Sequence, residues 1–422
     1  MCTFKITSCT GALEVDKYLK LGGPDSTQTV HLGDILFQHN LLSLTGEFTP
    51  QPIRRYPMLF MLLGEVYNYD RKFPSDIYYA IEMFIEHGND FTKYLDGEFL
   101  FIAYNEITQQ IDFFSDPWGT RQVWYEENKH FYFGTIPLAP ARYYSRETEN
   151  PELHEQDIRR LKGNSHYRYD VNNRKLELIN AELHKWDLKQ HKTTYDDWNV
   201  EFERAVIKRY HKKSVLALSG GVDSVSIALC LDKYRLPINS IHVATNPKAE
   251  DLQTYSETIR ATSKTNVPVM ITKTDYTENE RLSRDGLQTQ TMRYICEKVV
   301  SMDKRVLIVG HGADETISNY MSKTLHSEPN ISPFEDDLTS MFPWKHFYGG
   351  MNRFLLDKNE SIALSYGVEV RNVFLDKRLV QEWLWLSADL KNSEIKGPLK
   401  NYLRNRNISL PKKQAALRYQ EW

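Results

Sequence analysis

The 422-residue sequence contains no CxxC pair and no Cys/His cluster; its four cysteines, Cys2, Cys9, Cys230 and Cys296, are scattered without metal-site spacing. This scatter excludes the usual zinc spacings and a disulfide framework, and it fits reduced thiols. No apolar run approaches the roughly 18 residues that cross a bilayer, and the opening MCTFKITSCTG lacks the basic and apolar regions of a secretory signal. A soluble, cytoplasmic chain is expected. There is no long Lys/Arg run and the net charge is -3, so nothing points to a nucleic-acid groove or a membrane surface. The expected partner is a small molecule, and a homodimer is among the assemblies compatible with such a chain. Internal repeats and low-complexity tracts are also missing. A chain of this length exceeds what one hydrophobic core usually supports, so two domains are expected.

The pattern changes partway along. Up to about residue 185, short β-rich runs alternate with turn residues: VHLGDILFQHNLLSL, PMLFMLLGEVYNY, FLFIAYNEITQQIDFFSD and RQVWYEENKHFYFGT. Hairpins with one or two helices, DIYYAIEMFIEHG among them, predict a layered α+β domain over residues 1–185. From about Trp186 helices alternate with buried strands (VLALS, INSIHVAT, PVMIT, RVLIVG), which predicts a doubly wound α/β domain on a parallel sheet over residues 186–422. The polar segment NNRKLELINAELHKWDLKQ supplies the boundary.

Ligands bind beyond the carboxyl ends of parallel strands. One such end carries SGGVDS, Ser219 to Ser224. Gly220 and Gly221 allow close backbone approach, and the helix starting near Asp223 aims its positive end at the same place, which makes an anion cradle. No lysine of the Walker type follows. Asp223 would therefore repel a phosphate unless a metal stood between them, which implies Mg²⁺. A glycine turn with no ligand is the plain alternative.

SGGVDS resembles the loop of the N-type ATP pyrophosphatases, which cleave ATP between the α and β phosphates. A second turn, VLIVGHGADETISNY, resembles the SGEGSDE-type motif of the asparagine synthetase family, and ESIALSYGVEVRNVFLDKRLV resembles that family's segment ending ExRxPFLD. In the first half, GGPDSTQ, LLGEVYNY, LDGEFLFIAYN and SDPWGTRQVWY resemble the family's RGPD, NGEIYNY, LDGMFAFALYD and RDxxGxxPLYY. The order is preserved over nearly the whole chain. The resemblance implies an N-terminal-nucleophile (Ntn) glutaminase domain that makes ammonia and a synthetase domain that activates a carboxylate as its acyl-adenylate. It assigns Leu218, Val243 and Gly310 to the adenine site, Ser219, Gly220, Gly221, Asp223 and Ser224 to the pyrophosphate, and Asp223 with Asp314 to magnesium. EIKGPLKNYLR resembles the helix whose lysine reaches the α-phosphate; Lys400 matches best and Lys396 is the second choice. PKKQ resembles the late RPKQGF, and the end at Trp422 predicts a missing or reduced substrate-closing tail.

Some positions depart from the family. Cys2 stands where the nucleophile belongs, and a small second residue permits removal of Met1 to free its amine as a base. Gly64, Glu65 and Asp76 match the glutamine pocket. Leu41, however, replaces the arginine that holds the substrate carboxylate, and Leu63 replaces the asparagine of NGE. Arg54 or Arg55 is the candidate compensating cation. His311 stands where the family has a glutamate that helps deprotonate the attacking nitrogen; the related β-lactam synthetases carry tyrosine there. RDGLQTQTMRY lacks the TIRAST-like stretch of aspartate-using enzymes.

The sequence thus predicts a ligase of asparagine synthetase type, using ATP and Mg²⁺ to adenylate a carboxylate and form an amide, with glutamine-dependent asparagine synthesis as its leading form. An amide or lactam ligase with a non-ammonia amine and a vestigial glutaminase domain is the alternative. A non-catalytic nucleotide-binding regulator and a sulfur-transferring tRNA enzyme are remoter readings.

Overall fold

The computed structural model describes residues 2–9, 11, 13, 15–127, 129–137, 159–244, 249–272, 286–317 and 334–408. PKKQ, Trp422 and the first two residues of RDGLQTQTMRY lie outside them. The chain groups into two compact units, one of residues 1–185 with 356–369 and one of residues 186–355 with 370–422.

The first unit holds β1 (Thr3–Thr7), β2 (Ser26–Leu32), β3 (Ile35–Leu41), β4 (Ile53–Arg55), β5 (Met58–Val66), β6 (Gly97–Asn105), β7 (Gln110–Ser115), β8 (Trp124–Glu127), β9 (Phe131–Gly134), β10 (Arg159–Arg160), β11 (His166–Asp170) and β12 (Lys175–Asn180). They form two six-stranded sheets, β10-β8-β9-β1-β3-β2 and β12-β11-β7-β6-β5-β4, antiparallel at every pairing. Alternation along β5 explains the layering. Leu59, Met61 and Leu63 enter the core between the sheets with Phe4, Phe37 and Phe133. Phe60 and Leu62 face the other way, into a second core with Ile77 and Ile81 of helix Asp76–His87. Helix Asp16–Gly22 covers the first sheet through Leu19, which packs with Tyr132, Ile136 and Leu364. A strand buried on both faces reads as a continuous apolar run, and MLFMLL is one.

The second unit is built on β13 (Ser214–Ala217), β14 (Ile238–Ala244), β15 (Asn266–Thr272), β16 (Val306–Val309) and β17 (Glu369–Asn372), in the order β15-β14-β13-β16-β17. The first four run parallel. β17 falls within the segment likened to ExRxPFLD, and its four residues, EVRN, hold one apolar side chain and so give no buried-strand signal. Just after it, Asp376 caps helix Lys377–Trp385 by accepting from the amides of Arg378 and Leu379. Arg209 and Lys208 pair with the same carboxylate. Burial opposes its ionisation, but the two cations hold Asp376 well below the ordinary carboxylate range.

Candidate functional site

β13 ends at Ala217, and the chain turns through Leu218, Ser219 and Gly220 before helix Val222–Lys233 begins. Gly220 has φ +87°, a left-handed conformation that a side chain would strain. Serines close the turn. The amide of Gly221 donates to Ser219 Oγ at 3.2 Å, the amide of Ser219 donates to Ser224 Oγ at 3.2 Å, and the two hydroxyls lie 3.1 Å apart. Leu218 is held by its amide on the Ile241 carbonyl of β14. Val243 lies in β14, and Gly310 directly follows β16, so both flank β13 at carboxyl ends. A Cβ on Gly310 would stand 3.0 Å from Cβ of Asp223, so glycine lets the second turn pack against the loop helix.

The two turns share one cation. Lys396 Nζ lies 2.7 Å from Asp223 Oδ2 and 2.8 Å from Asp314 Oδ1. Its side chain is only 4% exposed, against 45% for Asp314, so the lysine is buried while Asp314 reaches the surface. Lys396 occupies a left-handed N-cap, φ 57° and ψ 38°, ahead of helix Gly397–Arg404. Burial pushes the Asp223 carboxyl up to about 6 while Lys396 pulls the other way. Burial disfavours the charged ammonium, yet the two carboxylates keep Lys396 above the ordinary lysine range. The match favoured by sequence, Lys400, lies 3.7 Å from Glu394 instead. The physical reason is position on the helix. Lys400 is one turn in and faces Glu394, whereas Lys396 precedes the helix and reaches the loop from its cap.

Asp223 Oδ1 is buried with no hydrogen-bond partner. Together with Asp314 it offers two carboxylates for a divalent cation, and among the described residues no group of three or more His, Cys, Asp or Glu could hold a metal. Magnesium in nucleotide sites commonly takes one or two carboxylates plus phosphate oxygens. The donor set fits that ion as a partner of a bound nucleotide and does not fit a cage made by protein alone.

In the second turn His311 Nε2 lies 2.9 Å from Asn352 Oδ1. Asn352 is fully buried, and its Nδ2 donates to the Phe347 carbonyl at 2.7 Å, so its oxygen is the atom turned to the imidazole. His311 Nε2 therefore donates, and Nδ1 carries the lone pair. Asn352 had no signal in the sequence, being 41 residues from His311. Glu315, the next carboxylate, is buried and pushed above its usual range by that burial.

In the first unit Cys2 precedes β1, and Leu42 donates its amide to Sγ at 3.4 Å. Burial pushes the thiol up to about 12, so little thiolate exists near neutrality in the chain with Met1 in place. Cys2 lines a pocket with Leu41, Leu42, Gly64, Glu65 and Asp76. Gly64 has φ +89°, and a Cβ there would strike the Glu98 carbonyl at 1.9 Å, so only glycine fits. Leu63 points away, into the core between the sheets. Neither arginine offered as compensation reaches the pocket. Arg54 makes two 2.7 Å bonds to Glu106, and Arg55 pairs with Glu82.

Residues 198–335 match the asparagine synthase family model. A probable glutamine-hydrolysing asparagine synthetase of Dictyostelium discoideum is 22% identical, over 87% of this chain and 71% of that protein. A glutamine-hydrolysing asparagine synthetase of Asparagus officinalis is 24% identical, over 92% of this chain and 68% of its own length. Asparagine synthetase 1 of Saccharomyces cerevisiae reaches 32% over a shorter stretch, 32% of this chain and 24% of that protein. Among solved structures, glutamine phosphoribosylpyrophosphate amidotransferase from B. subtilis, complexed with ADP and GMP, superposes with a TM-score of 0.30 at 10% identity, covering 74% of this chain and 82% of that one. That likeness is too loose to bear on fold or site. The family match, set on the loop and the second turn, and the low identity along the rest make this chain similar to the asparagine synthetases and divergent from them.

Proposed function

We propose that the second unit is a carbon–nitrogen ligase that activates a carboxylate with ATP and Mg²⁺, releases pyrophosphate and AMP, and forms an amide. One observation carries the reading: Asp223, Asp314 and the buried Lys396 converge at the end of the loop helix. The names of the relatives support it, since they are asparagine synthetases. Leu218, Val243 and Gly310 stand at the carboxyl ends of three adjacent strands, where an adenine would lie. The amides of the Ser219–Ser224 loop would bind phosphate oxygens.

Mg²⁺, held by Asp223 and Asp314, would neutralise charge on the phosphates when bound. Lys396 brings a fixed positive charge to the point where negative charge grows as the carboxylate attacks the α-phosphate, and it needs no reorganisation to act there. His311, oriented by Asn352, offers Nδ1 to the incoming amine. Only a neutral amine attacks an acyl-adenylate, so a group must take its proton.

Glutamine-hydrolysing asparagine synthesis is the leading specific form, by analogy with the named relatives. The Ntn-type glutaminase reading of residues 1–185 rests on Cys2, Gly64, Glu65 and Asp76. A second reading, with an amine other than ammonia as nucleophile, draws on Leu41 and on the buried, high-pKa Cys2. The deciding experiment is a panel of carboxylates scored for ATP-dependent release of pyrophosphate, followed by product analysis with glutamine, ammonium or amines. Pyrophosphate and AMP are the expected products. ADP and phosphate would overturn the reading.

A further inference from the structure

The carboxylate pair of the second unit carries a cation of its own. Lys396 Nζ lies 2.7 Å from Asp223 Oδ2 and 2.8 Å from Asp314 Oδ1, so one ammonium touches both groups that a divalent ion would use. A divalent cation arriving alone meets a like charge there. The ammonium has no short way into water, since the lysine side chain is 4% exposed, and leaving the carboxylates would bury it unpaired. Two carboxylates and one ammonium leave a single net negative charge, which is little to set against the hydration that a small divalent ion gives up reluctantly. Phosphates must supply the rest. One oxygen remains open to such an ion, because Lys396 takes Asp223 Oδ2 while the buried Oδ1 has no hydrogen-bond partner.

We propose that Lys396 bars free divalent cations from the Asp223 and Asp314 pair, so that metal enters only together with the phosphates of a nucleotide. The inference rests on the synthetase reading of the loop and adds to it the order in which the site fills. Its consequences have opposite signs. Removing the ammonium leaves both carboxylates without their shared counter-charge, which strengthens the hold on a free divalent cation and repels a triphosphate that comes without metal. A lysine that served only to hold the fold would lower both affinities together or change neither.

The test is binding of Mn²⁺ to the full chain, read by water-proton relaxation, with and without the α,β-methylene analogue of ATP, which is not cleaved at the bond this loop would break. The wild type should hold Mn²⁺ in the presence of the analogue and at least about tenfold more weakly without it. Lys396→Met should bind Mn²⁺ alone about tenfold or more tightly than the wild type, and bind the analogue in EDTA about tenfold or more weakly. Lys400→Met, which removes a lysine that faces Glu394, should leave both affinities within about threefold. Wild-type chain holding Mn²⁺ as tightly without the analogue as with it would overturn the inference and leave the synthetase reading standing. That measurement needs no variant, so it decides the matter even where Lys396→Met fails to fold. Equal affinity for Mn²⁺ alone in the wild type and in folded Lys396→Met would overturn it too. Absence of Mn²⁺ binding with the analogue present would instead remove the metal and nucleotide site, and with it the reading on which the inference stands.

Discussion

The two charged sites of this chain follow opposite plans. In the second unit, Asp223 and Asp314 share a buried lysine held 2.7 and 2.8 Å away, so each charge has a partner within its own site. In the first unit, Glu65 and Asp76 line a pocket whose Gly64 backs onto the buried guanidinium of Arg121. The comparison therefore separates a site whose two carboxylates converge on one lysine from a pocket whose carboxylates stand beside an apolar leucine wall. It also separates two grades of divergence. The loop holds its glycines, serines and carboxylates together, whereas in the pocket Leu41 stands where the resemblance would place an arginine.

Asp223→Asn should break the contrast most strongly. It removes a carboxylate from both the metal pair and the Lys396 pair, and ATP-dependent pyrophosphate release should fall about a thousandfold, the upper range for losing one electrostatic contact at a reacting centre. Retention of activity within tenfold would mean that the loop holds no metal–phosphate site.

The lysine pair sharpens the same site. Lys396→Met should lower pyrophosphate release about a hundredfold, and Lys400→Met only a few-fold, because Lys400 faces Glu394. The reverse order, measured on folded variants, would return the role to Lys400. A comparable loss is expected in another step. His311→Ala should depress amide formation about a hundredfold and leave pyrophosphate exchange nearly intact, the range for a lost general base. Asn352→Ala should give about tenfold on amide formation, since it orients the imidazole without touching the substrate. Equal losses in both steps would assign His311 to ATP instead.

These residues mark the limit of what the sequence could convey. The β-rich runs and buried strands were legible because apolar spacing reports burial directly, and the loop was legible because a turn with φ +87° at Gly220 requires glycine. The pairing of Asn352 with His311 was not, since nothing local links positions so far apart. Lys400 was preferred to Lys396 on the match of EIKGPLKNYLR to the family's lysine-bearing helix, and that match carries no information on which lysine reaches Asp223. The left-handed cap at Lys396 is a tertiary feature that no periodicity reports. Sheet order was equally hidden. β1 begins the chain yet lies inside its sheet, between β9 and β3, because long-range pairing and not sequence proximity sets that order.

A pH effect distinguishes the two plans as well. Asp76 is pushed up to about 6 by burial, with Glu369 adding to the rise and the amides of Val66, Ile77 and Asp76 itself opposing it. Glu65 shares the pocket, and the Cys2 thiol, up at about 12, stays neutral through this range. A carboxyl whose folded pKa is raised favours folding below its unfolded value and loses that contribution as pH rises through about 6. On the glutaminase reading, the ammonium group of glutamine needs the ionised form. Affinity for glutamine should therefore hold above pH 6 and fall by up to about tenfold per unit below it. A flat profile between pH 5 and 7 would exclude Asp76 as the partner.

The smallest effect expected is the one most dangerous to the comparison. Arg54 and Arg55 sit on β4, close in sequence to the pocket, and a swing of either side chain would restore the cation that Leu41 removed. Their present bonds argue against it. Arg54 meets Glu106 through two parallel donors, the fork geometry that makes arginine–carboxylate pairs directional, and Arg55 is tied to Glu82 on helix Asp76–His87. Both arginines face solvent, where ion pairs add little, so breaking either pair would cost little stability. Energy therefore does not forbid the swing, although neither arginine lines the pocket in this structure. Arg54→Ala and Arg55→Ala should each leave glutamine affinity and glutamate release within about twofold of the wild type. A tenfold loss of glutamine affinity or glutamate release in either folded variant would show an arginine serving the substrate carboxylate. The first unit would then be a complete amino-acid site, and the opposition between the two plans would disappear.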